Sequence, residues 1–445
     1  MVNWLKEFFY KVKFSQGNGG VLARGATGVF LVKVIGAGLV FILQIIFARL
    51  LGPKQYGIYV YAWTVVNILA IFSLLGFQTS LVRFIAEYNI KKQWNLFLGI
   101  LQSSKQLALS FSFIIIFIGL ATIYLLGKSV SFDLKVAISI ALFVLPPLVL
   151  MRLQEASLRA LKQVIYSNLL YEVIRPVLTI FIVFSLFFLL HKNLDASYAM
   201  IGIFIAIFLT ALNGAVFLRR FLPDEVRKVQ PNFANKEWLK VSLPLLLIAA
   251  MHIIFNKTDI IMLGALKGPE QTGIYSVAVN VSILISFALT AINFILAPMI
   301  SELYHTNRKK ELQRIIALAA RAIFIFTLFM SLVLIIFGKS ILGLFGKAFI
   351  IAYVPLLILL AGQIINSLSG SVGSIMSMSS QQNAMGFIIG ASTVVNIILN
   401  ITLIPKFSLI GAAIATAVTM AMWNIAMLVY IYKKLGINST VFAKI

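Results

Sequence analysis

The chain has 445 residues, of which 61% are hydrophobic and 11% charged; soluble domains carry roughly 25% charged residues, so a bilayer must supply the solvent. The formal charge of +24 comes from 37 basic against 13 acidic residues, but the basic residues stand between apolar stretches rather than in one patch, which argues against a nucleic-acid binder. Cysteine is absent, which excludes disulfides, thiolate metal sites and cysteine nucleophiles.

Residues 1–26 carry Lys6, Lys11 and Lys13 among Trp4, Leu5, Phe8 and Phe9, with no small-residue cleavage site. The expectation there is no cleaved signal peptide but an amphipathic segment on the cytoplasmic surface. Twelve apolar segments long enough to cross a core of about 30 Å follow. They lie near 27–49, 57–80, 107–127, 135–152, 167–190, 198–218, 241–265, 273–298, 316–338, 348–369, 385–404 and 409–432. The fold class is therefore an all-α polytopic membrane protein with twelve transmembrane helices.

The stretch Leu50–Ala62 returns 216 residues later as Leu266–Ala278, with eight of thirteen positions identical. Among them are the pairs Gly52/Gly268, Pro53/Pro269, Gly57/Gly273 and Tyr59/Tyr275. Each copy follows the first span of its half, so the chain divides into two six-helix lobes, 27–218 and 241–432. Residues 219–240, with Pro223 and Pro231, form the cytoplasmic linker between them, and 433–445 a cytoplasmic tail. Two like halves are the plan of transporters that alternate access to a central site.

The N-terminus, the tail and the loops after even-numbered spans hold 25 of the 37 basic residues, with Arg152 and Arg321 counted at the inner ends of their spans. That asymmetry places both termini in the cytoplasm and makes most of the net charge a topology signal and an attraction to anionic lipids. The outward loops are short, leaving no extracytoplasmic domain for an active site.

Ionisable groups at bilayer depth cost about 2.5 kcal/mol or more and need a partner, a cavity or a ligand. In span one, Lys33 and Gln44 share a face with Gly36 between them. In span five, Asn168, Glu172 and Arg175 follow i, i+4, i+7 spacing before Pro176. In span seven, His252, Asn256 and Asp259 repeat that spacing, with Lys257 a quarter turn off. The plainer readings are that Glu172 neutralises Arg175, that Asp259 partners Lys257, and that Lys33 and Lys257 snorkel to the interface. Arg152, Glu155 and Arg159 read as a solvated ion-pair ladder. Asn67 and the serine-rich run 367–380 read as packing between helices. The three histidines have no metal-ligand spacing. The embedded excess is basic, with Lys33, Arg175 and Lys257 against Glu172 and Asp259, and suits an anionic substrate such as a pyrophosphate.

No phosphate-loop motif is complete: Gly127-Lys128-Ser129 and Gly338-Lys339-Ser340 lack the earlier glycine. No cofactor and no ATP hydrolysis are expected, and transport would run on a gradient. A membrane glycan polymerase or ligase would want a large outward loop, and a scaffold would not need buried charge in three spans. A cation-coupled exporter of drugs or lipids would want more cavity acids.

At three places the chain resembles the Wzx-type polysaccharide flippases of the multidrug/oligosaccharidyl-lipid/polysaccharide exporter superfamily. These are Ala48-Arg49-Leu50-Leu51-Gly52-Pro53 through Tyr59, Ala156–Leu161, and Asn396–Ala417. The resemblance runs over nearly the whole chain. It implies two six-helix bundles forming a V around a central cavity, and a substrate of sugar units on polyprenyl pyrophosphate. That substrate is turned from the cytoplasmic to the outer leaflet of the plasma membrane. Cavity-facing cations would bind the lipid diphosphate: Lys33, Arg83, Arg175 and Lys257, with Gln44, Asn67, Asn168 and Asn256 nearby. Asp259 or Glu172 would respond to a coupling proton or sodium ion. Partnership with other polysaccharide-assembly membrane proteins is a further expectation. Peptidoglycan-precursor flippases of this superfamily usually have fourteen spans, two more than are counted here.

Overall fold

The structure is a computed structural model, and it describes residues 18–125, 131–189 and 194–443. The expected surface helix around Trp4–Phe9 lies outside the described residues. Every regular element described is helical, as a lipid-embedded backbone requires when it has no water to bond. In chain order these are α1 (Asn18–Ser73), α2 (Phe77–Ile90), α3 (Trp94–Leu125), α4 (Phe132–Ala160), α5 (Val164–Leu189), α6 (Ala196–Phe221) and α7 (Asp224–Arg227). There follow α8 (Asn235–Lys267), α9 (Pro269–Ile283), α10 (Ser286–His305), α11 (Lys309–Gly343), α12 (Lys347–Ser369), α13 (Val372–Met378) and α14 (Gln382–Leu435).

Nine of the described helices are long and apolar enough to cross a membrane, which makes this a multi-pass membrane protein. Nine continuous helices and twelve expected crossings differ because the chain bends without ending a helix. α1 is two arms joined at Gly52, where φ is 70° and ψ 172°. The arms meet again at Phe47 and Tyr59, whose ring centroids lie 4.8 Å apart, edge to face. α14 turns at Ser408 (φ 48°, ψ −123°), and Asn396 donates to Thr419 across its two arms at 3.0 Å. The expected span 273–298 is instead split between α9 and α10 at Leu284–Ile285. The turns at Gly52 and Ser408 fall in the gaps 50–56 and 405–408 that separate expected spans, whereas the break at Leu284–Ile285 falls inside an apolar run and has no sequence signal.

By contact the chain forms two compact units. One takes the described residues up to Ile46 together with Val66–Leu247; the other takes Phe47–Val65 together with Ile248 onward.

In the first unit α4 is the centre, with Val144, Leu145, Leu148 and Val149 fully buried. The N-terminus of α6 is capped by Asp195, whose carboxylate accepts from the Ser197 and Tyr198 amides at 2.8 and 3.0 Å. The segment 219–240 is docked rather than loose. Asn232 donates to the Asn95 carbonyl at 3.0 Å, and Asn235 accepts from Ser103 at 2.6 Å. Trp238, fully buried, donates to the Tyr88 hydroxyl at 2.9 Å.

In the second unit the two copies of the repeat lie on one another. A Cβ on Gly57 would stand 2.5 Å from the Pro269 carbonyl carbon and 3.0 Å from the Gly273 nitrogen. A Cβ on Gly273 would stand 2.6 Å from the Pro53 carbonyl oxygen and 2.8 Å from the Gly57 nitrogen. Each glycine thus admits the backbone of the other copy, with proline and glycine exchanging places across the contact. Two further residues of the first copy's motif are fixed in the same unit. Arg49 donates through Nε to the Leu344 carbonyl at 2.5 Å, covering the end of α11. Tyr56 is buried edge-to-face on Phe349 at 5.7 Å. The specific motif of the sequence is therefore a packing device.

The tail beyond α14 is folded down as well. Gln313 donates to the Asn438 carbonyl at 2.8 Å and accepts from its amide at 2.9 Å. Arg321 donates to the Val441 and Ala443 carbonyls at 3.3 and 3.0 Å. Ser439 and the Val441 amide bond the Ser369 and Leu368 carbonyls, which the C-terminus of α12 leaves open.

Candidate functional site

In the first unit, α1, α4 and α5, each long and apolar enough to cross a membrane, bring a cluster of charged groups together. Pro176 has no N–H, so the Glu172 carbonyl has no donor four residues on. The helix widens there: Leu169–Ile174 is a π-helical turn, and the Arg175 amide bonds the Leu170 carbonyl, five residues back. Such turns change which side chains share a face. The expected i, i+4, i+7 stripe of Asn168, Glu172 and Arg175 is broken as a result. Asn168 turns onto the Val164 carbonyl at 2.7 Å.

Glu172 faces α1 instead. Its carboxylate is 3.9 Å from Lys33 Nζ, and Gly36 lets α1 approach so closely that a Cβ there would stand 2.6 Å from the Glu172 carbonyl oxygen and Cβ. Neutralisation of Arg175 by Glu172 is therefore not what the chain does. Arg175 lies over the Tyr171 ring, 5.2 Å from its centroid, and its Nε is buried without a hydrogen-bond partner. The Lys33–Glu172 pair is long, and its side chains are 47% and 30% exposed; pairs of that kind contribute little, so Lys33 keeps most of its charge for another anion.

Arg152, read from the sequence as part of a solvated ladder, is the centre of the cluster. It donates to Asn67 Oδ1 at 2.6 Å and to the Tyr171 hydroxyl at 3.1 Å. Arg159 lies 3.7 Å from Glu155. Four cations, Lys33, Arg152, Arg159 and Arg175, thus meet two carboxylates. The signal for Arg152 was present as a base at the inner end of span four. Its partners sit 85 and 19 residues away, where no local pattern points. Gln44 lies in the same unit, with Oε1 buried and unbonded. Arg83 is not drawn in: it is exposed on α2, stacked on the neighbouring Phe84 at 5.9 Å.

The second unit holds one deep acid. Asp259 is 5% exposed. It accepts from Tyr275 at 2.8 Å, from the Ile260 amide at 2.8 Å and from Thr416 at 3.3 Å. Tyr275 belongs to the second repeat copy; the residue 216 places before Asp259 is Leu43, so this carboxylate has no counterpart in the first half. The expected His252–Asn256–Asp259 stripe separates. His252 and Asn256 are exposed, and Asn256 Nδ2 donates to the His252 carbonyl at 2.7 Å, while Asp259 is turned into the core by its hydroxyl partners. Lys257 makes no ion pair within 4.0 Å among the described residues, and hydroxyls and an amide satisfy Asp259 in its place. The serine-rich run 367–380 bonds its own helix turns and the tail, in keeping with a packing role.

The comparisons place this architecture. The polysaccharide biosynthesis protein family matches residues 22–304, and the MatE family matches 244–402. The probable low-salt glycan biosynthesis flippase Agl15 of Haloferax volcanii is 23% identical over 402 residues, covering 90% of this chain and 81% of that protein. Among solved structures, an inward-facing multidrug resistance MATE transporter of the MOP superfamily superposes with a TM-score of 0.73 at 14% identity, covering 92% of this chain and 98% of that one. The lipid II flippase MurJ in an inward closed conformation superposes at 0.71 and 15%, covering 90% and 87%. At these identities the two structures show a shared fold. With its family match over more than half its length, the chain belongs to the polysaccharide biosynthesis protein family, in agreement with a flippase of the multidrug/oligosaccharidyl-lipid/polysaccharide exporter superfamily rather than an enzyme.

Proposed function

We propose that the protein turns a polyprenyl-pyrophosphate-linked oligosaccharide from the cytoplasmic to the outer leaflet of the plasma membrane. It does so by alternating access and on an ion gradient, without ATP. The observation that carries this reading is the cluster on α1, α4 and α5: four cations against two carboxylates in helices that cross the bilayer. A surplus of positive charge on membrane-crossing helices is costly within the bilayer unless an anion completes it, and a diphosphate offers the oxygens that guanidinium forks bind best. Lys33, Arg152 and Arg175 hold the diphosphate, with Asn67 and Tyr171 fixing Arg152. Arg83 and Lys257, with Asn168, Asn256 and Gln44, are secondary positions on its path. Twelve crossings in two lobes, 27–218 and 241–432, with both termini cytoplasmic, belong to the same proposal. Asp259 is the coupling carboxylate, taking up a proton or sodium ion, and Glu172 serves as the exchangeable partner of Lys33.

Agl15, by its name a glycan biosynthesis flippase, supports the substrate class. The MatE match over 244–402, a region that contains Asp259, favours a second reading, export of cationic drugs or lipids coupled to a cation. Native mass spectra of protein purified from its host in mild detergent separate the two. A bound species stepping in mass by sugar units supports the glycan lipid. Phospholipid alone, with drug-like cations binding in its place, overturns it.

A further inference from the structure

A second basic site lies at the end of α6, outside the cluster just described. Leu209, Leu212, Val216, Arg219 and Arg220 follow one another at spacings that keep them on one face of that helix. The face is exposed, Leu212 at 50% and Val216 at 66%. After Leu222 and Pro223 the chain folds back through α7, and Arg227 donates to the Arg219 carbonyl, one of the acceptors that the end of α6 leaves open. Arg219, Arg220 and Arg227, with Val216 and Leu222, thereby line an open pocket of about 530 Å³.

Charge bookkeeping sets this pocket apart from other basic turns of the chain. Arg308 is bound to Glu311 through two hydrogen bonds of 2.9 and 2.5 Å, and Lys91 to Glu87 at 2.6 Å. Here Asp224 pairs with Arg227 at 3.4 Å while 81% exposed. Arg219 and Arg220 have no ion pair within 4.0 Å among the described residues. The pocket keeps a positive charge at the end of an apolar strip.

We propose that this pocket binds the phosphate headgroup of an anionic phospholipid. The phosphate sits between the three arginines, and an acyl chain lies along Val216, Leu212 and Leu209. Guanidinium groups match phosphate oxygens in geometry and charge, and the strip gives the chain the apolar contact that a free phosphate would lack. The site stands apart from the flippase reading and holds if that reading fails. Its place at the start of residues 219–240 makes the lipid a clamp on that segment of the first unit, whose far end is docked through Asn232 and Trp238.

The test uses the full chain, delipidated in detergent and titrated with phosphatidylglycerol, phosphatidylcholine or inorganic phosphate, with retention read by native mass spectrometry. Wild type is expected to retain phosphatidylglycerol over phosphatidylcholine. Each arginine lost should weaken that retention about fivefold, from the worth of a basic residue beside anionic lipid, and R219Q/R220Q/R227Q should abolish the preference. The single variant R220Q shows the fivefold step if the triple variant does not fold. K309Q/K310Q should behave as wild type. Unchanged retention in R220Q, or an equal loss in K309Q/K310Q, overturns the site. Displacement of the lipid by millimolar inorganic phosphate overturns the lipid as its ligand.

Discussion

Replacing Gly57 by alanine sets two opposed effects against each other. Alanine is favoured over glycine inside a helix by about 1 kcal/mol, so the change stabilises wherever there is room. At Gly57 there is none. The added Cβ would lie 2.5 Å from the Pro269 carbonyl carbon and closer still to its oxygen. Ordinary contact begins near 3.4 Å, so the two helices must part by about 1 Å or more. The atoms in the way are backbone, and no rotamer change relieves them. Forced overpacking costs typically about 1–3 kcal/mol, and here the parting also loosens Tyr56 on Phe349 and the reciprocal seat of Gly273. The clash wins, and Gly57→Ala should lower the melting temperature of the detergent-solubilised protein by several degrees. Gly273→Ala should act in the same direction but less, its nearest obstacle being 2.6 Å away. Gly38→Ala, with nothing within 4 Å of its Cβ, should be neutral or slightly stabilising. Fluorescence-detected size-exclusion chromatography after graded heating reads all three. A Gly57→Ala protein as stable as Gly38→Ala would refute the reciprocal seating of the repeats.

Arg175→Ala is expected to abolish transport in a vesicle flipping assay while membrane insertion stays intact; normal flipping by the folded variant would remove Arg175 from the site. Arg152→Lys should lose at least tenfold in flipping rate, because one ammonium cannot reach both Asn67 and Tyr171 as the guanidinium does, and rates equal to wild type would make Arg152 a bystander. Asp259→Asn should change how transport responds to pH and sodium gradients, and an unchanged response would leave Asp259 a purely structural acceptor for Tyr275 and Thr416. Truncation before Asn438 frees Gln313, Arg321 and the α12 carbonyls. With each hydrogen bond contributing about 1 kcal/mol net, the melting temperature should fall, and an unshifted melt would mean the tail is not docked in solution.

The helical class, the membrane and the repeat were legible because each is written in local composition or in identity at a fixed offset. The reciprocal contact of Gly57 and Gly273 was implicit in that repeat, though nothing in it told packing from recognition. What the sequence hid has a common physical origin. A π-turn arises from one missing N–H at Pro176, yet it moves the partners of Glu172 and Arg175 to another face, which 3.6-residue periodicity cannot register. Arg152 gained its meaning from Asn67 and Tyr171, brought there by tertiary packing alone. The turns at Gly52 and Ser408 were legible because Lys54, Gln55 and Lys406 interrupt the apolar runs beside them, whereas the break at Leu284–Ile285 lies within one and leaves no such mark.

Phe47–Val65 belongs by contact to the second unit although it is made near the start of the chain. Its seats at Pro269, Gly273, Leu344 and Phe349 are translated much later; at about 5–20 residues per second, the last of them follows by roughly 15–60 s. For that interval the first repeat copy lacks the partners that hold Tyr56 and Arg49 in the folded chain. Biogenesis of the second unit therefore begins before the first is finished. A chain cut within 219–240 would separate Phe47–Val65 from the unit it packs into.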